Sequence, residues 1–264
     1  MGGTVLTIQA GAPFADTLAR GLIARLGDDP LALAGATIYL PTRRAGRTLA
    51  ESFARVLGGA ALLPSIRPLG DVDEDDLLFE AEDVSLMPAI APIRRQFLLA
   101  TLVQRWGKEQ RGGAMGFAQA VALAHELARF LDDCERQGAD LSKIETLAPE
   151  ALAAHWADVR AFLLILRDHW PAILQAEGRM NRAAYSNASL AALARRLETK
   201  PPTGAVIAAG STGSIPATAD LLSVIARLPQ GAVILPGLDR ALDDESWSNL
   251  DPGHPQYGMK QLLA

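Results

Sequence analysis

The stretch VLTIQAGAPFADTLARGLIARL, residues 5–26, decides the fold prediction, because it joins an apolar strand to an amphipathic helix through a short loop of small residues. Strand, loop and helix units of this kind build parallel α/β sheets. The free N–H groups and the dipole at such a helix start also favour a bound anion. The stretch therefore predicts an α/β core and a loop whose capacity to hold a phosphate has to be judged from its side chains.

The side chains of this loop depart from the pattern of a nucleotide-binding P-loop. That pattern is G-x-x-x-x-G-K-[ST], in which glycines let the backbone close on the phosphates, the lysine neutralises them and the hydroxyl ligates magnesium. With Thr17 as the hydroxyl, Ala10 and Ala15 stand at the glycine positions and Asp16 at the lysine, while Gly11 lies within the loop. A carboxylate repels phosphate where lysine attracts it. We predict a degenerate nucleotide loop, with an ordinary α/β connection as the alternative.

Composition limits the class of protein. The 264 residues are 49% hydrophobic, which is enough to bury a substantial core. A net charge of −5 argues against a surface coated with positive charge for indiscriminate nucleic-acid binding, although a local basic site is compatible with it. The single cysteine, Cys134, excludes an internal disulfide. Apolar runs too short for a membrane helix, and a start unlike a signal sequence, predict a cytoplasmic protein with no membrane partner.

Sequence patterns divide the chain into three segments. In residues 1–89 helical patterns alternate with short β-rich runs, including ATIYLP at 36–41 and ALLPSIRPL at 61–69. Residues 90–200 carry only long helical patterns, so we predict an insertion subdomain made of helices. Strand patterns return in residues 201–264 as AVIAAG and AVILPGL. The predicted fold is an α/β, P-loop-like parallel sheet that is interrupted by a large all-helical insertion.

A basic motif follows the second predicted strand. The stretch YLPTRRAGRTLAESF, residues 39–53, places Thr42, Arg43, Arg44 and Arg47 at the start of a helix. Guanidinium groups and free N–H groups that converge at a helix start attract phosphate. We predict a phosphate-contacting site here, with a solvated basic helix face as the alternative.

The third motif follows a later strand, in VIAAGSTGSIPATADLL at residues 206–222. A working P-loop ATPase ends this strand in acidic residues that hold magnesium and activate water. Here the strand ends in Ala209 and Gly210, and the first carboxylate is Asp220. We therefore predict a degenerate acidic strand end. The GSTGS turn is either an anion cradle or a flexible loop before a helix that begins at a proline.

Taken in order, these segments resemble the first motor domain of superfamily I helicases. The stretch at 39–53 is similar to its threonine-led motif that contacts single-stranded DNA, with Gly46 in place of an alanine. More narrowly, a series of blocks resembles the N-terminal part of alphaproteobacterial AddB, a subunit of bacterial helicase-nucleases that repair double-strand breaks. Those blocks are GAPFADTLA, IYLPTRRAGRTL, IRPLGDVDEDDLLFE, HWPAIL, VIAAGSTGSIPAT and HPQYGMKQLL. The resemblance spans essentially the whole chain.

The resemblance implies a helicase-like module without catalysis, in double-strand break repair by homologous recombination. Such a module guides unwound single-stranded DNA and DNA ends and scaffolds an AddA-type motor subunit, with strand contact assigned to Thr42, Arg43, Arg44 and Arg47. The family also carries a nuclease domain with an iron-sulfur cluster, which this chain lacks. We therefore expect no cofactor here and a piece of a longer protein. A nucleotide- or phosphate-binding enzyme using the GSTGS loop, and a pure interaction scaffold, remain as alternatives.

Overall fold

The computed structural model divides the chain into two compact units. It describes residues 3–26, 30–58, 62–69, 86–111, 115–146 and 153–264. Residues 1–84 and 189–264 form unit 1, and residues 85–188 form unit 2. The sequence-based division placed these boundaries at 89/90 and 200/201. The acidic block GDVDEDDLLFE, residues 70–80, lies outside the described residues.

Unit 1 is built on a five-stranded sheet in which every pair of neighbouring strands is parallel. In chain order the strands are β1 Val5–Ile8, β2 Thr37–Leu40, β3 Ser65–Pro68, β4 Val206–Ala209 and β5 Gly231–Pro236. Their order across the sheet is β1-β5-β4-β2-β3. The predicted α/β class with a parallel sheet is therefore confirmed.

Helices connect these strands and make up most of unit 2. They are α1 Phe14–Leu26, α2 Pro30–Ala34, α3 Arg43–Leu57, α4 Pro92–Arg111, α5 Phe117–Gln137, α6 Ala153–Glu177, α7 Arg182–Thr199, α8 Pro216–Arg227, α9 Asp244–Ser248 and α10 Tyr257–Leu263, with a 3₁₀-helix at Leu141–Thr146. The helix α7 begins five residues before the predicted pattern NASLAALARRLE, which starts at Asn187. None of the described helices is long and apolar enough to span a bilayer.

Side chains of the strands alternate between the two faces of the sheet. Ile38 and Leu40 of β2 pack with the buried residues of α1 and α3 on one face. Tyr39 packs on the other face with the buried residues of α8 and of the last turns of α7. The helices that follow β2 and β4 therefore leave the sheet on opposite faces. In open parallel sheets, ligands bind at the carboxyl ends of such neighbouring strands.

Unit 2 has a core of its own between its helices. Leu99 and Val103 of α4 are buried against Leu127 and Leu131 of α5 and Trp170 of α6, among others.

This core of unit 2 contains charged and polar groups as well. The buried Arg95 lies 2.8 Å from Asp132, and the Asn181 amide donates a 2.5 Å hydrogen bond to Glu135. Burial raises the pKa of the Glu135 carboxyl, against the hydrogen bond from Asn181 and the charge of Arg95.

Candidate functional site at the carboxyl edge of the sheet

The three sequence motifs meet in one cleft of unit 1. Because β1, β2 and β4 are parallel, the loops after them lie at the same edge of the sheet. A cleft of about 590 Å³ opens there between the starts of α1 and α3. That volume falls within the range of about 300–1,000 Å³ that is typical of small-molecule sites. The lining comprises Pro13, Phe14, Ala15, Asp16, Leu18, Leu40, Pro41, Thr42, Arg44, Ala45, Thr48, Leu49, Ser52, Arg55, Gly210 and Pro236.

The structure brings some of the predicted site residues together in this cleft and leaves others outside it. Ala15, Asp16, Thr42, Arg44 and Gly210 line the cleft. The other predicted residues lie nearby in the chain without lining it, namely Ala10, Gly11, Thr17, Arg43, Arg47 and Ala209. Residues from all three motifs therefore share one surface.

Asp16, at the position of the P-loop lysine, is engaged by the neighbouring helix. It lies in the first turn of α1, and the Arg55 guanidinium of α3 donates a 2.5 Å hydrogen bond to its carboxylate. Arg55 also donates to the Ser52 hydroxyl at 2.9 Å. Hydrogen bonds from Ser52 and Arg55 hold the pKa of Asp16 below its usual value. The start of α1 thus carries a carboxylate that is ionised at neutral pH and bound to α3.

The loop before α1 closes on its own backbone. The N–H of Ala12 donates to the carbonyl of Gln9 at 3.2 Å, and the N–H of Thr17 donates to the carbonyl of Pro13 at 2.9 Å. Gly11 has a φ of +85°, a conformation that L side chains rarely adopt and that makes this tight turn accessible. The proline at 13 supplies no N–H. The turn therefore uses the Ala12 N–H within the loop, and position 13 has no N–H to offer a phosphate.

An aromatic side chain packs where an ATPase carries its acidic residues. Gly210 follows β4 directly, and a Cβ added to it would lie 3.4 Å from the Phe14 ring and 3.6 Å from Pro41. Ala209, the last residue of β4, is buried. The end of this strand therefore presents an apolar surface in contact with Phe14. Phe14, the first residue of α1, lines the site but does not belong to the predicted motif positions.

The start of α3 is basic and exposed, whereas the start of α1 carries the paired carboxylate of Asp16. Thr42 is the N-cap, and its side-chain oxygen accepts a 3.1 Å hydrogen bond from the Ala45 N–H. The side chains of Arg43, Arg44 and Arg47 are exposed. An exposed helix start with three guanidinium groups and no acidic residue in its first turn is a favourable surface for an anion.

Close packing explains the glycine that departs from the threonine-led motif. A Cβ added to Gly46 would lie 3.2 Å from the Cγ2 atom of Ile66 in β3. An alanine at this position would therefore require the Ile66 side chain or the helix to move by a few tenths of an ångström. Gly46 lets α3 lie close against β3.

The GSTGS loop is covered by the last helix of the chain. Gly213 is buried, and a Cβ added to it would lie 3.2 Å from the Leu262 side chain of α10. A Cβ added to Gly258, also in α10, would lie 3.3 Å from the Thr212 carbonyl oxygen. The Gly213 N–H is oriented towards the Ser211 hydroxyl, at 3.3 Å. Close cover by α10 argues against the alternative in which this loop cradles a phosphate.

No model of a known protein family matches the chain, and no curated protein matches it either. Within the described ranges, no three His, Cys, Asp or Glu side chains are grouped closely enough to hold a metal ion. Fold and site define an α/β protein with an all-parallel five-stranded sheet, consistent with a Rossmann-like or P-loop-like fold. The resemblance to AddB stays a prediction.

Proposed function

We propose that this chain is a non-catalytic, helicase-like module of an AddAB-type helicase-nuclease, which guides unwound single-stranded DNA and scaffolds an AddA-type motor subunit. The observation that carries the proposal is the contrast between two helix starts at one edge of the sheet. The start of α1 carries Asp16 paired with Arg55, whereas the start of α3 exposes Arg43, Arg44 and Arg47.

Strand contact at α3 is supported by its charge and its exposure. Guanidinium groups bind phosphate through planar pairs of N–H donors, and the helix start adds a favourable dipole. The overall net charge of −5 makes this local concentration of arginines distinctive. Phosphate contacts of this kind position a strand without reading its sequence. The proposed module therefore guides DNA of any sequence at this surface.

The absence of catalysis is supported by the residues at the other two motifs. Asp16 replaces the lysine that neutralises phosphates, and it is held in place by Ser52 and Arg55. The end of β4 offers Ala209 and Gly210 instead of carboxylates for magnesium. These replacements remove the lysine and the strand-end carboxylates with which a P-loop ATPase holds Mg-ATP and activates water.

Salt-dependent binding to a fluorescent single-stranded oligonucleotide tests the proposal. The double variant Arg43→Glu with Arg44→Glu is expected to bind less tightly, and its plot of log K against log salt is expected to be flatter by roughly 0.7 for each lost phosphate contact. The matched control is Arg195→Glu with Arg196→Glu, an adjacent exposed pair on α7. Circular dichroism of each variant checks that the helices are retained.

Two outcomes would contradict strand contact at α3. One is an equal loss of affinity in both double variants, which would indicate a general effect of net charge. The other is an unchanged salt slope in the Arg43 and Arg44 variant. Either result would leave the arginines of α3 as an ordinary solvated helix face.

A further inference from the structure

The cleft between α1 and α3 has a property that phosphate contact alone does not use. Its walls are mostly apolar and include the half-buried Phe14 together with Leu40, Pro41, Leu49 and Pro236. The polar and charged lining residues are Asp16, Thr42, Arg44, Thr48, Ser52 and Arg55. A cavity of this composition favours a flat or bulky neutral group over a free ion.

Charge is distributed across the cleft in a way that restricts its ligand. Within the lining, the Asp16 carboxylate and the Arg55 guanidinium form an ion pair, so their charges offset each other. Arg44 also lines the cleft, and it belongs to the exposed basic set at the start of α3. A ligand that suits this lining has a neutral ring for the apolar part of the cleft and a phosphate for Arg44. A nucleotide within a DNA strand has this arrangement.

We infer that the cleft accepts one nucleobase of the single strand whose phosphates contact Thr42, Arg43, Arg44 and Arg47, and that the base packs against the ring of Phe14. This inference rests on the proposed function. Base stacking on an aromatic side chain is a common way for proteins to hold single strands, since every base has a π-face. Phosphate contacts alone let a strand slide along the protein. Stacking of one base on Phe14 would hold the strand at one nucleotide.

The Asp16 carboxylate in the lining favours some bases over others. An ionised carboxylate has about four acceptor positions. Arg55 and Ser52 occupy part of this capacity on Asp16. The remaining acceptor positions are suited to an exocyclic amino group, which cytosine and adenine carry and thymine lacks. The cleft therefore prefers oligo(dC) to oligo(dT) of the same length.

Binding to strands with and without bases tests this inference on the same 264-residue chain. The probes are a fluorescent oligo(dC) and an abasic strand of equal length, which keeps all its phosphates. Phe14→Leu preserves apolar packing against Gly210 but removes the ring, and Phe14→Tyr keeps the ring. We expect Phe14→Leu to weaken binding of oligo(dC) about tenfold and to leave binding of the abasic strand unchanged. Phe14→Tyr is expected to bind both strands as the wild type does.

The possible results separate this inference from the proposed function. Tighter binding of oligo(dC) than of the abasic strand, lost only in Phe14→Leu, supports the base site. Salt-dependent binding of both strands with equal affinity overturns the base site and leaves the proposed function standing. Equal weakening of both strands by Phe14→Leu also overturns it, since a general structural role of Phe14 then suffices. No binding of either strand overturns both proposals.

Irradiation of a strand containing 5-iododeoxycytidine, which keeps the exocyclic amino group, gives a second readout that a purely structural role of Phe14 would not produce. The base site predicts a photo-cross-link that mass spectrometry maps to Phe14, and its loss in Phe14→Leu. Cross-links confined to other parts of the chain would contradict the site.

Discussion

The starts of α1 and α3 occupy equivalent positions and have opposite properties. Each follows the carboxyl end of a parallel strand at the same edge of the sheet. The first turn of α1 carries Asp16, paired with Arg55, whereas the first turns of α3 expose Arg43, Arg44 and Arg47. The fold supplies a helix start in both places. The sign of the side-chain charge then decides which one is suited to an anion.

The comparison also shows that the two starts are joined. Asp16 of α1 and Arg55 of α3 form an ion pair, and Leu18 and Phe53 lie in one buried cluster. The residue that replaces the lysine of a nucleotide loop has become a contact between helices. Each helix start therefore depends on the other for its position.

The largest expected effect comes from a variant that destabilises the starts of both α1 and α3. Phe53→Ala removes a fully buried side chain of α3 from the cluster that it shares with α1, and we expect it to lower the free energy of unfolding by about 3–5 kcal/mol. Urea denaturation followed by circular dichroism measures the change. Leu57→Ala, an exposed position on the same helix, is the control and is expected to cost about 0.5 kcal/mol or less. Similar losses in both variants would show that α3 does not depend on this cluster.

The next prediction concerns a variant in which the start of α1 carries a positive charge in place of a negative one. Ala10→Gly, Ala15→Gly and Asp16→Lys together restore a positive charge and a more open loop, and we expect affinity for inorganic phosphate to rise about tenfold. ATP hydrolysis is expected to stay absent, because Ala209 and Gly210 still supply no carboxylate. Isothermal calorimetry and a coupled ATPase assay provide the two measurements.

Two results would show that this view of the α1 start is mistaken. Micromolar, magnesium-dependent ATP binding by the wild type, abolished by Thr17→Ala, would mean that the loop still works as a nucleotide site. Turnover by the triple variant that Thr17→Ala removes would mean that the acidic residues lie elsewhere than at the end of β4.

A smaller effect distinguishes the two threonines of the two starts. Thr42→Ala removes the N-cap of α3 and is expected to lower the free energy of unfolding by about 1 kcal/mol. Thr42→Ser keeps the hydroxyl and is expected to retain most of that stability. Thr17→Ala, already inside α1, is expected to change it by about 0.5 kcal/mol or less. Chemical denaturation of the three variants makes the comparison, and equal effects of Thr42→Ala and Thr17→Ala would rule out the cap.

The smallest effect concerns pH. Because the folded pKa of Asp16 is lowered, its contribution to stability is present above the unfolded value and is lost as the pH falls through the folded value. The unfolded value is about 3.9, so the loss occurs in acid, below roughly pH 4. Asp16→Asn is expected to flatten this part of the curve of unfolding free energy against pH. Asp140→Asn is the comparison variant, because the pKa of the Asp140 carboxyl is also lowered but this residue does not join α1 to α3. It shows how far the curve changes when an aspartate with a lowered pKa is removed elsewhere in the chain.

A direct comparison with Arg55→Gln decides whether the ion pair causes this pH dependence. If Arg55→Gln leaves the acid limb of the wild type intact, the low pKa of Asp16 has another origin. If it flattens the limb as Asp16→Asn does, the pair between α1 and α3 is responsible.

Local patterns in the sequence were sufficient for several elements. The helix that starts after Thr42 is predicted from the helical periodicity that follows a short β-rich run, and the structure adds that Thr42 is its N-cap. The end of the fourth strand at Ala209 was likewise readable from a short apolar run followed by glycine. The alternative use of the GSTGS loop could not be judged in this way, because its cover by α10 involves residues about fifty positions away.

The sequence by itself determined the parallel α/β class, the unfavourable charge at Asp16 and the favourable charges at Arg43, Arg44 and Arg47, because these depend on short-range periodicity and on residue identity. Only the tertiary structure decided that Asp16 pairs with Arg55 and that Phe14 packs on Gly210. Those contacts join residues 39 and 196 positions apart in the chain, and the order of the strands brings them together. Periodicity identifies which face of an element is buried, whereas the partner of a side chain is set by how the elements cross.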